Sequence, residues 1–141
     1  DNLNADRIDG LDIEQGSFTP TIVGGTSAGV GTYSVQQGRY TKIGKLVFIN
    51  IALQITAHTG SGEFRVAGLP YASENTANLI QAITLENTAL TLTSGHVAYA
   101  DILPNVSYIR ITSSATGTTT LGAINIDTAC SIRLSGCYVA A

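Results

Sequence analysis

The run VFINIALQITA at 47–57 constrains the fold more than any other stretch of the chain. Its odd positions, Val47, Ile49, Ile51, Leu53, Ile55 and Ala57, are all apolar. A repeat of two is that of a β-strand with one face in a core. The alternate set, Leu46, Phe48, Asn50, Ala52, Gln54 and Thr56, is mixed. Leu46 and Phe48 are too apolar for open water, and Asn50, Gln54 and Thr56 are too polar for a second core.

The rest of the chain repeats this grammar in shorter form. Thr, Val, Ile and Gly dominate, no window sustains a helical period, and short alternating runs are separated by Gly-, Ser-, Asn- or Pro-containing breaks. Strands are predicted near 18–23, 30–36, 39–43, 45–57, 62–67, 78–85, 88–93, 96–103, 106–113, 119–126 and 130–139. Many short antiparallel strands in 141 residues predict one all-β domain, a sandwich or barrel. A short helical turn in YASENTANL, capped by Ser73, is the one helical possibility.

Charge divides the chain unevenly. Asp1, Asp6, Asp9, Asp12 and Glu14 oppose only Arg7 in the first fourteen residues, giving 1 − 5 = −4; the remainder carries 6 − 5 = +1. Residues 1–15 are therefore read as an acidic stalk or linker, either loose or packed around a symmetry axis, and 16–141 as the folded domain. No basic patch offers phosphate contacts, so nucleic acid is not an expected partner. No apolar run is long enough for a membrane-spanning helix, and no signal segment opens the chain, so membrane insertion is not expected. Only 12% of residues are charged, against about 25% in an average domain. The surface must be neutral, either through Ser, Thr and Asn or through burial against other subunits. The absence of methionine, even at position 1, predicts a piece of a longer protein.

Catalytic and metal chemistry find little support. Cys130 and Cys137 are seven positions apart; on one strand that is about 23 Å, on opposite faces, so two free thiols are expected. His58 and His96 are read as surface residues at strand edges, without a third ligand at metal-site spacing. Outside the leader the acids are Glu63, Glu74, Glu86, Asp101 and Asp127, and Glu63 is expected to pair with a cross-strand base. No catalytic residue, metal or cofactor is predicted. Sugar binding asks less: an aromatic face with a carboxylate, amide or guanidinium beside it. Tyr71, after GLP, and the same-face pairs Tyr99 with Asp101 and Tyr108 with Arg110 meet that description. Each also fits a half-buried structural role.

Four segments, NADRIDGLD, GSFTPTIVGG, TYSVQQGRYTKIGKLVFINIALQIT and GSGEFRVAGLPY, together resemble the C-terminal domains of bacteriophage tail fibres and tailspikes. The matching positions are Gly16, Phe18, Pro20 and Ile22; Tyr33, Gln36, Gly38, Tyr40, Thr41, Ile43, Gly44 and Val47; and Gly68, Leu69 and Pro70. The likeness covers the first half of the chain. It implies an antiparallel jelly-roll-like β-sandwich, homotrimeric, at the distal end of a virion fibre or spike. Such a domain binds a bacterial surface polysaccharide or lipopolysaccharide, or locks the trimer; a purely structural module and a glycan-processing enzyme are the alternatives. Any depolymerase would then be expected in a preceding part. In a trimer, Leu46 and Phe48 are expected to lie at a subunit contact, while Asn50, Gln54 and Thr56 bond across strands or reach solvent.

Overall fold

The computed structural model describes Arg7, Ile8 and residues 10–141. Among these, eleven strands and no helix occur: β1 (Arg7–Ile8), β2 (Leu11–Phe18), β3 (Thr21–Gly24), β4 (Gly31–Ile43), β5 (Leu46–His58), β6 (Phe64–Ala67), β7 (Gln81–Thr88), β8 (His96–Ile102), β9 (Tyr108–Ala115), β10 (Gly122–Ala123) and β11 (Cys130–Val139). Ten form a single hydrogen-bonded path, β1-β2-β4-β5-β11-β7-β8-β9-β6-β3, and β10 pairs with β9. Every pairing is antiparallel. The path turns at β7, whose residues 84–88 pair with β11 while 81–83 pair with β8. The sheet thereby curls into a half-barrel around one core. The fold is all-β and antiparallel, as expected, and within it β7, β8 and β9 lie side by side as a meander.

The alternation in β5 explains the core. Val47, Ile49, Ile51, Leu53 and Ile55 are buried, and β11 faces them in register with Tyr138, Leu134, Ile132 and Cys130. Ile109 and Ile111 of β9, Phe64 and Val66 of β6, and Ile22 of β3 close the same cluster from the other half of the curl. A register shift around Tyr33 in the β4–β5 pair ends the alternation. Beyond it Ala57, expected inside, is exposed and His58 is buried. A bulge moves side chains to the opposite face, because pairing advances by one residue on one strand only.

Several expectations are corrected. The predicted break at 37–38 does not exist: β4 runs unbroken, with Gly38 opposite Phe18 and Gly16 opposite Tyr40. An added Cβ on either glycine would meet the facing ring at under 3 Å, so each aromatic fills the space its glycine leaves. The strand predicted at 88–93 does not form: β7 ends at Thr88, and the next residue, Ala89, has φ 60°. The predicted strand at 119–126 shrinks to Gly122–Ala123. Ser73 caps no helix; it is fully buried, donating to the Leu103 carbonyl at 2.6 Å and accepting from the Val106 N–H at 3.1 Å. Residues 11–15 of the expected stalk belong to β2. Residues 1–6 and 9 of the expected stalk lie outside the described residues.

Candidate functional site

Cross-strand register builds a polar surface on the face of β2-β4-β5-β11-β7 that points away from the core. Ser17, Arg39, Asn50, Ser135 and Thr84 form one row across five strands. Gln37, Ala52, Arg133 and Glu86 form the next, and Gln15, Thr41, Phe48 and Cys137 flank the first on its other side. Small residues, Ser17, Ala52 and Ser135, alternate with long ones, leaving two shallow hollows of about 410 and 550 Å³. Arg39 and Asn50 line both, so the two hollows adjoin, and together they form a grooved patch on this face. Arg133 donates to Glu86 at 3.0 Å across β11 and β7, and both side chains remain largely exposed. Arg39, also exposed, makes no such bond.

The opposite half of the curl carries a second arrangement. Asp101 and Arg110 are register partners on β8 and β9 and close a two-pronged ion pair, 2.9 Å from Nε and 2.7 Å from Nη2. The Asp101 carboxylate raises the Arg110 guanidinium above its ordinary value, a direction that burial opposes. Arg65 sits opposite Arg110 across β6 and β9, a like-charge contact that would be unfavourable alone. Each arginine instead has its own acid. Arg65 bonds Glu63 at 2.6 Å, two residues back on its own chain segment, and covers the Tyr108 ring at 4.6 Å. The cross-strand base expected for Glu63 is therefore a same-segment one.

These facts place the sequence-derived sugar contacts. Tyr99, Asp101, Tyr108 and Arg110 come to one outward face; Tyr71 belongs elsewhere. Tyr99 is 46% exposed and borders a hollow of about 470 Å³ with Ile80, Ala82 and Leu121. Asp101 is buried, and the Tyr108 ring is covered by Arg65. Tyr71 is half-buried at the rim of the core, edge-on to Tyr40 at 5.8 Å, with the Lys42 ammonium 5.1 Å from its centroid. There the Tyr40 hydroxyl donates to Glu14 at 2.6 Å. That bond, with a weaker share from Tyr71 and Lys42, holds the Glu14 carboxyl below its ordinary value. Glu14 in turn raises both phenols.

His58 corrects another expectation, since it is a buried connector rather than a surface residue. Its Nδ1 accepts from the Gly60 N–H at 2.9 Å, which leaves Nε2 as the donor to the Ile22 carbonyl at 2.9 Å. The two cysteines are free, Cys130 buried and Cys137 exposed. No group of three His, Cys, Asp or Glu side chains among the described residues is placed to hold a metal ion. The groove was missed by a search for rings beside charges. Its signal was the polar alternate set in β5, beginning with Asn50.

No family model matches the chain, and no curated protein matches it. Among solved structures, the crystal structure of Dettilon tailspike protein (gp208) is similar, with a TM-score of 0.72 and 20% sequence identity. The alignment covers 90% of this chain and 24% of that one, so the chain spans about a quarter of the tailspike's length. At this identity the likeness establishes a shared fold.

Proposed function

We propose that this chain is a domain of a bacteriophage tail fibre or tailspike that attaches the virion to a bacterial surface polysaccharide or lipopolysaccharide. The observation that carries the reading is the groove. It presents an array of exposed amide, hydroxyl and guanidinium groups on a rigid five-strand face, which is the chemistry that sugar hydroxyls require. The shared fold with a tailspike protein makes a virion tail the fitting context. The groove is preferred over the Tyr99 surface because Asp101 and Arg110 there already satisfy each other. The proposed role is non-catalytic; outside the leader the acids pair as Glu63 with Arg65, Glu86 with Arg133, Glu74 with Lys45 and Asp101 with Arg110, and Asp127 accepts from the Thr91 N–H.

Cell binding by the 141-residue chain, with the natural host among the strains, tests the proposal. Ser135→Tyr, which fills the groove at an exposed strand position, is expected to abolish binding while leaving the circular dichroism unchanged. No binding to any strain or glycan by the unaltered chain would refute attachment. Host polysaccharide shortened on incubation would favour an enzyme instead.

A second reading, a module that trimerises the fibre, is favoured by one observation. Leu79, Ile80, Val97, Tyr99 and Leu121 are large apolar residues left 36–53% exposed in and around strands β7 and β8. The two readings are compatible, since the groove and this apolar surface are distinct hollows that meet only at Thr84 of β7.

A further inference from the structure

We infer that the groove is selective for acidic sugars, with Arg39 receiving the sugar carboxylate; this rests on the glycan-binding reading above. The ion pairs among the described residues join Lys45 to Glu74, Arg65 to Glu63, Arg110 to Asp101 and Arg133 to Glu86. Every arginine of strands β6, β9 and β11 thus has an acid, whereas Arg39 forms no ion pair. The charged residues lining the groove are Arg39, Arg133 and Glu86, a balance of 2 − 1 = +1 within a chain of net charge −3. The positive excess is Arg39 itself.

Its neighbours leave that charge open. In register it stands between Ser17 on β2 and Asn50 on β5, two short neutral side chains that offer no counter-charge. A guanidinium presents a planar fork of N–H donors, whose best complement is a carboxylate held by two parallel bonds. A neutral sugar would satisfy those donors with single hydroxyls. An acidic one satisfies the fork and leaves its own hydroxyls for Asn50, Gln37 and Ser135, with Phe48 as an apolar wall. Arg133 is the less available of the two, because its guanidinium already donates to Glu86 in an exposed pair.

The test is titration of the isotope-labelled 141-residue chain with glucuronate, galacturonate, N-acetylneuraminate, glucose and glucose 6-phosphate. The reporters are the Arg39 Nε–H and the side-chain amides of Gln37 and Asn50 in nitrogen-correlated NMR spectra. At least one carboxylated sugar is expected to shift all three saturably, binding at least about tenfold tighter than glucose. Raising salt from about 50 to about 500 mM should weaken that binding several-fold, because the contact is at the surface. Arg39→Gln should erase the preference for acid over glucose, and Arg39→Lys should keep part of it. The inference is overturned by no saturable shift with any carboxylated sugar, or by glucose or glucose 6-phosphate binding as tightly. Shifts centred on Tyr99, or an unchanged preference in Arg39→Gln, overturn it equally. Should acid selectivity fail while Ser135→Tyr still abolishes cell binding, attachment through the groove stands and only the choice of sugar falls. Cell binding that survives Ser135→Tyr would remove the groove reading itself.

Discussion

Tyr138 has no exposed surface, yet it carries a hydroxyl, and its position in the core is tolerable only because that hydroxyl donates to the Tyr71 carbonyl at 2.9 Å. Burial pushes the phenol up to about 12, and burial, assisted by Asp127, pushes the Cys130 thiol up to about 11. Both groups are acids held neutral by the fold. Each therefore contributes stability that is complete below its unfolded value, about 9 for the thiol and 10 for the phenol, and is lost as pH rises through the folded one. With shifts near two units, the loss is about 2–3 kcal/mol for each group. The melting temperature should fall progressively between pH 9 and 12, measured by circular dichroism. Tyr138→Phe should cost about 1 kcal/mol at neutral pH and make the decline above pH 10 shallower. An equally steep decline in that variant would exclude Tyr138 as its source. The cysteines allow a second test, because reactivity requires an accessible thiolate. At pH 8 a thiol reagent is expected to label Cys137 promptly and to leave Cys130 unmodified until the chain is denatured. Two free thiols on opposite faces were legible from their odd spacing alone. The burial of His58 was not, since it depends on a bulge that the alternation of β5 does not announce.

Strands β1 and β3 end the hydrogen-bonded path, and β3 shows how the curl is held. Along the free edge of β3, the Ile22 N–H is taken by the Tyr33 hydroxyl at 2.7 Å and the Ile22 carbonyl by His58. Gln36 donates to the Pro20 carbonyl at 2.9 Å. Side chains of β4 and β5 thus do at this edge what another strand would do, so the edge is closed to pairing with other chains. Tyr33→Phe keeps the ring and removes the partner of the Ile22 N–H, at an expected cost of about 1–2 kcal/mol. Hydrogen exchange at Ile22 should accelerate more than exchange in β5, which lies inside the sheet; uniform acceleration would mean that β3 is held by packing alone. At this scale the sequence was informative wherever one face is uniformly apolar, as in β5 and β11. It misled where glycine was read as a break. Gly38 interrupts nothing because Phe18 covers it from the facing strand, a relation between residues 20 positions apart. The strand predicted at 88–93 failed for the opposite reason: its apolar residues are real, and Leu90 is buried, but the left-handed backbone at Ala89 stops the ladder.

The molecule as a whole sorts its surface by chemistry. Composition announces an uncharged exterior, but only the curl decides which neutral residues collect where. The face of β2-β4-β5-β11-β7 gathers the polar groove, and Ile80, Tyr99 and Leu121 gather around a neighbouring hollow that meets it at Thr84. This division sharpens the question raised by the mixed face of β5. Leu46 and Phe48 are 44% and 43% exposed in the single chain, and a subunit contact there would cover one wall of the groove. Phe48 cannot both be covered in a trimer and line an open sugar site, so the two proposals compete for it. The apolar residues around the neighbouring hollow resolve the competition if they form the contact, and Leu121 is the decisive position because it is exposed and borders the Tyr99 hollow. Leu121→Glu would place three charges in such an interface, and burying unpaired charge is far more costly than exposing leucine. Light scattering is expected to show a trimer for the unaltered chain and a folded single chain for Leu121→Glu, with groove titrations unchanged between them. Hydrogen exchange around Phe48 should then be the same in both. A trimer that persists in Leu121→Glu, with exchange slowed at 46–50, would place the contact on the groove face and make assembly and attachment mutually exclusive there.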